Sequence, residues 1–166
     1  MMLYEEIFRE FQNKKVKYVV VGGIALNLLG GNRSSFDMDI LVEMSDENLK
    51  KVVSILKSRG YKVKQPVNPM DIAIGDIRTE WIRAKNMKAF NFYKEEEMKE
   101  VDIIIDSPVQ FEDAKKDYVR VKVGSLIVPV ISIKGLIKMK KKSGRPVDRI
   151  DIEMLNAIQK IKRGTK

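Results

Sequence analysis

The sequence predicts an α/β protein in which a mixed β-sheet is flanked by helices and followed by a helical extension. Three observations support this prediction. Short apolar runs that end in glycine alternate with segments of helical periodicity, several strand-like runs follow one another across tight turns, and residues 132–166 show helical spacing throughout. With 166 residues, 44% of them hydrophobic, the chain has the size and apolar content of one domain with its own core.

The first part of the chain predicts alternating helices and strands. In chain order we expect a helix over the first dozen residues, a strand in "VKYVVVGG", a short helix in "IALNLLGG", a strand in "FDMDILVE", a helix from the N-cap Ser45 to Gly60, and a strand in "YKVKQ". Glycine pairs close the first strand and the short helix, as is typical of tight connections between buried elements.

The second part predicts more strands and then two helices. We expect a short helix in "IRTEWIRAK", strands in "KAFNFYK" and "EVDIIID", a short helix in "PVQFEDAKKDY", a hairpin turning at Gly124-Ser125, and helices in "IKGLIKMKKK" and "PVDRIDIEMLNAIQKIK". We expect core packing, rather than base stacking, of Trp81, Phe90 and Phe92. Packing is also expected along the last helix for Ile150, Leu155, Ile158 and Ile161. Residues 1–131 would form the core, and residues 132–166 a basic helical pair packed on it within one structural domain.

The composition excludes several kinds of chemistry. The chain has no histidine and no cysteine, which rules out Ser-His-Asp and Cys-His mechanisms and a histidine-bound zinc site. A general base would have to be Asp, Glu, Lys or Tyr, or a metal ion would have to activate the nucleophile. The amino terminus has no signal-peptide pattern, and the longest uncharged run, residues 18–32, is too short to span a bilayer. We therefore expect a soluble cytoplasmic protein.

The positive charge is concentrated at the carboxyl end. The net charge is +9, and residues 132–166 contain 11 of the 32 basic residues but only three of the 23 acidic ones. Such a region favours an anionic partner, either a polyphosphate or a nucleic acid. The alternative is a solvated helical surface without a partner.

Asp37 and Asp39 are the first candidates for a functional site. Residues two apart on a strand project from the same face, roughly 6.6 Å apart, so these carboxylates would repel each other beside apolar neighbours. A divalent cation such as Mg²⁺, which prefers oxygen ligands, would compensate their charge. The alternative is a strand end in solvent, with both acids paired to Lys or Arg.

Two further features strengthen the first interpretation. Gly22-Gly23 closes the strand before this D-x-D pair and opens a helix, a geometry that leaves backbone N–H groups free for a phosphate. In "VDIIID", Asp102 lies inside a strand and could supply a third carboxylate. Asp106 is the alternative, although an acid at a strand end beside Ser107-Pro108 needs no special explanation.

The segment "VVVGGIALNLLGGNRSSFDMDILV" resembles the signature of the polymerase-β-like nucleotidyltransferase superfamily, in which a Gly-Gly turn precedes D-x-D. More narrowly, it is similar to small stand-alone prokaryotic members, including those of toxin–antitoxin and abortive-infection systems, with their R-x-[ST]-x-D-x-D pattern at Arg33, Ser35, Asp37 and Asp39. The segment "GLIKMKKKSGRPVDRIDIEML" resembles the closing helices of that group, with matching positions at Lys140, Arg145, Asp148 and Asp151.

The resemblance implies the nucleotidyltransferase fold and a phosphoryl-transfer reaction. Asp37, Asp39 and Asp102 would bind one or two Mg²⁺ ions, or Mn²⁺, on the triphosphate of an NTP, and Asp102 would help to activate the acceptor hydroxyl. The amides of Gly22 and Gly23 would hold phosphate oxygens, with Ser35 beside them.

The basic residues of the pattern leave alternatives open. Lys140 and Arg145 would neutralise the triphosphate or pyrophosphate, or else belong to a solvated helix end. Arg33 would meet phosphate or pair with Asp37. For Asp148 and Asp151, capping or pairing with Arg145 is the simpler explanation.

Three functions are consistent with these features. The first is transfer of an NMP from an NTP to a hydroxyl of a partner protein, an RNA 3′ end or a small molecule such as an aminoglycoside. The second is a catalytically silent module of the same fold that acts as an antitoxin or binds a partner, such as a toxin protein. The third is sequence-independent nucleic-acid binding through the basic carboxyl end. Residues 61–98 match no known pattern and leave the acceptor side unspecified.

Overall fold

The computed structural model describes residues 2–164, which form one seven-stranded mixed sheet with helices around it. The strands are β1 (Tyr18–Val21), β2 (Asp37–Val42), β3 (Lys62–Val63), β4 (Ala89–Lys94), β5 (Lys99–Ile104), β6 (Val119–Val123) and β7 (Leu126–Val130). The helices are α1 (Glu5–Asn13), α2 (Gly22–Leu28), α3 (Asp46–Ser58), α4 (Gly75–Lys85), α5 (Phe111–Ala114), α6 (Ile133–Ser143) and α7 (Pro146–Gly164). Two short 3₁₀ helices lie at Pro69–Ala73 and Glu95–Glu97.

The strand order, β3-β4-β5-β2-β1-β7-β6, places the acid-bearing strands at the centre of the sheet. β1 runs antiparallel to β2, while β2 and β5 run parallel. The carboxyl end of β1 therefore lies beside the amino ends of β2 and β5, at one end of the central strands. Gly22, Asp37 and Asp39 lie at that end, together with the first residues of β5.

Apolar side chains hold the sheet and helices together. All four residues of β1 are buried, and on β2 Met38, Ile40, Leu41 and Val42 are buried. Helix α3 begins where Ser45 caps it, since the Oγ atom accepts a hydrogen bond from the Asn48 backbone N–H at 3.2 Å. Its apolar stripe is fully buried, as its spacing predicts: Leu49, Val52, Val53 and Leu56.

The predicted α/β class is confirmed, since the structure is a mixed sheet flanked by helices with a carboxyl-terminal helix. Phe90 and Phe92 are fully buried, and Trp81 packs edge-on against Phe90 with 6.4 Å between ring centroids. None of the helices within residues 2–164 has the length and apolar character needed to cross a lipid bilayer.

The predicted packing of α7 is wrong at two positions. Leu155 is buried, but Ile150 and Ile161 are 60% and 66% exposed. The buried face of this helix is centred on Asp148, Asp151 and Leu155. These three lie within about 60° of one another around the helix axis, whereas Ile150 and Ile161 project roughly opposite to them.

Candidate active site

The acids at the amino ends of β2 and β5 form one group, which we call the carboxylate cluster: Asp37, Asp39, Glu100 and Asp102. The parallel register between β2 and β5 builds it, because Asp37 lies beside Glu100 and Asp39 lies beside Asp102. In this register the spacing of two residues on each strand places all four side chains on one face. The structure thus brings together the three predicted carboxylates.

Oxygen atoms of Asp37, Glu100 and Asp102 all lie within 4.8 Å of one another. Glu100 was not predicted from the sequence, which named Asp37, Asp39 and Asp102 as the ligands. A signal for it exists, since "KEVD" gives Glu100 and Asp102 the same two-residue spacing as Asp37 and Asp39. Using that signal requires knowing that β5 lies parallel to β2.

Asp39 has a strongly raised pKa. Burial raises the pKa of Asp39 to about 7, with further contributions from the charges of Asp102 and Asp37 and from a hydrogen bond with Asp102, while Arg145 acts in the opposite direction. The pKa of Asp37 is raised too, by burial first and then by Glu100 and Asp102. Negative charge in this cluster is therefore incompletely compensated.

Such a donor set suits a hard divalent cation. Carboxylate oxygens are the ligands that Mg²⁺ prefers in proteins, and a cation would relieve the repulsion that raises these pKa values. The residues present therefore fit a Mg²⁺ or Mn²⁺ site.

Asp106, the alternative third carboxylate, lies apart from this cluster. It is exposed and pairs with Lys88, whose Nζ atom lies 3.0 Å from its carboxylate. Asp102 instead lies inside β5, with Asp39 on one neighbouring strand and Asn91 on the other.

The Gly22-Gly23 turn is tightly fitted against the acids. Gly22 has a positive φ of 71°, and a Cβ atom there would lie 2.2 Å from an Asp39 carboxylate oxygen. A Cβ atom at Gly23 would lie 2.5 Å from the Ser35 Oγ atom. Helix α2 begins at Gly22, and the N-cap side chain accepts no hydrogen bond from the first backbone N–H groups of the helix.

A second charged group joins the loop between α2 and β2 to the last two helices. This group, the ion-pair cluster, consists of Arg33, Lys140, Arg145, Asp148 and Asp151. Arg33 contacts Asp151 rather than Asp37, with which the sequence offered a pairing. The loop is held in place by Asn27, whose side chain makes two 2.7 Å hydrogen bonds with the Arg33 backbone.

Lys140 is not part of a solvated helix end. It is 5% exposed, and its Nζ atom lies 2.7 Å from Asp151 and 3.6 Å from Asp148. The expected pairing with Arg145 holds for Asp148, which accepts hydrogen bonds from the Arg145 backbone N–H at 3.0 Å and Nε at 3.1 Å. Burial would raise the pKa of Asp148, but hydrogen bonds from Arg145 and Ser143 outweigh it and lower that pKa. Asp151 is instead neutralised by Lys140 and Arg33.

A cleft of about 480 Å³ lies between the two clusters. Its walls come from the ends of β1, β2 and β5, from Lys88 before β4, from the segment after β5, and from helix α6 with the turn after it. They include Gly22, Asp39, Lys88, Ile104, Asp106, Pro108, Leu136, Met139, Lys140, Lys142 and Arg145. A cleft with an acidic edge, several cations and an apolar wall matches the needs of a nucleotide, whose triphosphate is anionic and whose base is flat and largely apolar.

The family model for aminoglycoside-2''-adenylyltransferase matches residues 4–155 of the chain. The chain belongs to this family. It is thus a polymerase-β-like nucleotidyltransferase in family and fold, as the Gly-Gly and D-x-D segments indicated. The narrower resemblance to toxin–antitoxin members receives no support. No curated protein sequence matches the chain significantly.

Solved structures show the fold of this aminoglycoside-2''-adenylyltransferase family member in distant relatives. The lincosamide antibiotic adenylyltransferase LnuA with bound lincomycin has 20% identity and a TM-score of 0.62, over 92% of this chain and 94% of its own. ANT(2'')-Ia in complex with adenylyl-2''-tobramycin has 12% identity and a TM-score of 0.59, over 98% and 96%. An antigenic nucleotidyltransferase-like protein from Paracoccidioides brasiliensis has 13% identity and a TM-score of 0.54, over 92% and 72%.

Proposed function

We propose that the protein transfers AMP from ATP to a hydroxyl group of a small molecule. The observation that carries this proposal is the carboxylate cluster, built across β2 and β5 beside the Gly22-Gly23 turn. In the reaction the acceptor oxygen forms a bond to the α-phosphorus of ATP, the bond to the bridging oxygen breaks, and pyrophosphate leaves. Family membership supports adenine as the base.

The carboxylate cluster would hold the metal. Asp37, Glu100 and Asp102 have oxygens close enough for one ion, and Asp39 lies beside Asp102 where it can share an ion or bind a second. When bound, Mg²⁺ would supply polarisation of the phosphoryl oxygens and favour ionisation of an oxygen nucleophile. Asp102, central in the cluster, would take the proton that the acceptor hydroxyl loses.

The cleft would hold the triphosphate between its glycine turn and its cations. The amides of Gly22 and Gly23, which have no N-cap side chain as a partner, and the Ser35 hydroxyl beside them would donate hydrogen bonds to phosphate oxygens. Arg145 is an accessible cation of the cleft, with a side chain that is 64% exposed and close enough to Asp39 to lower its pKa. Lys140 and Arg33 already pair with Asp151. They would therefore contribute positive charge to the triphosphate at longer range, without binding it directly.

The two antibiotic adenylyltransferases among the fold relatives favour a small-molecule acceptor over a protein or an RNA end. Their structures contain lincomycin and an adenylylated tobramycin, both hydroxyl-bearing antibiotics. We propose an acceptor of that kind. No observation on the described residues favours a partner toxin or a silent antitoxin role.

Calorimetric titration of ATP with and without Mg²⁺ tests the site. We expect the native chain to bind ATP only with Mg²⁺, Asp37→Ala/Asp39→Ala to lose that binding, and Glu153→Ala, at an exposed acid outside the cleft, to keep it. Transfer of labelled AMP to lincomycin, tobramycin and other polyhydroxylated compounds then tests the reaction. Equal ATP binding by native and double-mutant protein would rule out the catalytic proposal.

A second candidate function, nucleic-acid binding, has one observation in its favour. A groove of about 510 Å³ between α6 and α7 is lined by Lys134, Lys138, Lys141 and Arg163, with Asn156 and Gln159. Within residues 2–164 none of these four cations pairs with a carboxylate. Lysines at this spacing form a line along α6 that could follow phosphates.

The salt dependence of binding to a labelled oligonucleotide tests this candidate. Binding through the groove should weaken steeply with salt, disappear in Lys134→Glu/Lys138→Glu/Lys141→Glu, and survive Asp37→Ala/Asp39→Ala. Binding that the lysine variant retains would contradict it.

A further inference from the structure

Asp102 has different neighbours on its two sides. Within the sheet it lies between Asp39 on β2, a like charge, and Asn91 on β4, a neutral amide. Asn91 donates a hydrogen bond from Nδ2 to Asp102 Oδ1 at 2.7 Å. One oxygen of Asp102 is therefore held from the side opposite the carboxylate cluster.

The direction of this hydrogen bond is set by Gln65, which follows β3. The Asn91 backbone N–H can only donate, and it donates to Gln65 Oε1 at 3.1 Å. Gln65 must then direct its Nε2 amide towards acceptors, and it donates to Asn91 Oδ1 at 2.7 Å and to the Ala89 carbonyl at 3.3 Å. With Oδ1 occupied in this way, Asn91 directs Nδ2 at Asp102.

We propose that Gln65 and Asn91 are positioning residues that hold Asp102 in the orientation needed to bind a divalent cation. This inference rests on the proposed function, because it assigns the metal to the carboxylate cluster. Partners that hydrogen-bond a metal ligand fix its orientation and commonly change metal affinity about 10- to 100-fold when they are removed. The proposal also gives a role to part of residues 61–98, which match no known pattern, since Gln65 follows β3 and Asn91 lies on β4.

Binding of Mn²⁺ alone, followed by electron paramagnetic resonance on the full chain, tests this assignment. We expect Asn91→Ala to bind Mn²⁺ about 10- to 100-fold more weakly than the native protein. Gln65→Glu should weaken binding comparably. A glutamate still accepts from the Asn91 backbone N–H, but it cannot donate to Asn91 Oδ1, so the Asn91 amide turns and presents its oxygen to Asp102.

Two further variants separate positioning from folding and from charge. Gln65→Met removes every side-chain hydrogen bond of Gln65 but lets Asn91 keep its direction, so it should weaken Mn²⁺ binding less than Gln65→Glu. Gln12→Glu is the matched control, because Gln12 accepts a hydrogen bond from the Ile127 backbone N–H at 3.0 Å at the far end of β7. It adds the same charge and should leave Mn²⁺ affinity unchanged.

The outcomes distinguish the inference from the function beneath it. If the native protein binds Mn²⁺ and Gln65→Glu binds it equally or more tightly, the positioning role alone is overturned. That result is what the added negative charge would give by itself, because it attracts a cation. A larger loss in Gln65→Met than in Gln65→Glu would overturn it too, by indicating a structural role. If the native protein binds no Mn²⁺, the metal centre of the proposed function fails and the positioning role fails with it.

Discussion

The carboxylate cluster and the ion-pair cluster lie on either side of one cleft and handle acidic side chains in opposite ways. In the ion-pair cluster, Asp148 and Asp151 are fully buried and each contacts cations. In the carboxylate cluster the acids lie against one another, and burial and mutual repulsion raise the pKa values of Asp37 and Asp39. Acids paired in this way hold the fold together. In the carboxylate cluster Lys64 pairs with Glu100, but Asp37 and Asp39 still repel each other, and a bound cation would compensate their charge.

Removing an acid should therefore have opposite effects on stability in the two clusters. The largest loss is expected for Asp151→Ala, which leaves the buried Lys140 ammonium with Asp148 alone, at 3.6 Å, and deprives Arg33 of its partner. We expect the free energy of unfolding to fall by about 3–5 kcal/mol, measured by urea denaturation. Glu153→Ala, at an exposed acid on the same helix, is the control and should change it by less than about 0.5 kcal/mol. A loss below about 1 kcal/mol for Asp151→Ala would show that the pairs contribute little.

Removing the Asp39 carboxylate should instead raise stability, and the size of this increase should depend on pH. Its pKa is about 7 in the folded chain, against 3.8 ordinarily, so between these two values the folded state binds the extra proton and stability falls as pH rises. Without metal, Asp39→Asn should unfold with a free energy on the order of 3 kcal/mol higher than the native chain at pH 8, and with no difference at pH 3.5.

Measuring urea denaturation of the native chain and Asp39→Asn across this pH range tests the prediction. Mg²⁺ should narrow the gap at pH 8 by stabilising the native chain more. Parallel pH profiles for the two proteins would contradict the unusual pKa.

Substitutions at glycine separate backbone strain from closeness to the acids. Gly22 and Gly124 both have positive φ, but a Cβ atom would meet Asp39 at 2.2 Å in the first case and nothing within 4 Å in the second. Gly124→Ala should cost about 1–2 kcal/mol from strain alone. Gly22→Ala should cost roughly 1–2 kcal/mol more and weaken Mn²⁺ binding, because Asp39 must move. Equal losses of stability with unchanged Mn²⁺ affinity would show that the close approach has no role in the site.

The sequence was sufficient to predict the helices and strands, including the central strands of the sheet. It was not sufficient to predict which side chains of different elements contact one another. Glycine pairs, the D-x-D spacing and the Ser45 cap are local signals, and the elements they predict are present. Glu100 joins the cluster only through the register between β2 and β5, and Arg33 meets Asp151 across a long stretch of chain. On α7 the apolar residues suggested a packing face, yet two buried aspartates determine which side faces inward. These contacts depend on tertiary placement, which helical or strand periodicity does not encode.

The smallest effect is expected at Asp106, an acid that lies outside the carboxylate cluster and is paired with a cation. It is exposed and forms a surface ion pair with Lys88, and such pairs contribute about 0–1 kcal/mol. Asp106→Asn should therefore change the free energy of unfolding by less than about 1 kcal/mol. Its Mn²⁺ affinity should also stay within about twofold of the native value, whereas Asp102→Asn should bind at least about tenfold more weakly. The two variants remove the same charge from positions four residues apart. A difference between their Mn²⁺ affinities therefore reports direct contact with the ion rather than the overall negative charge of the cleft. Equal weakening would mean that the cleft attracts cations by its overall charge and that no particular carboxylate is a ligand.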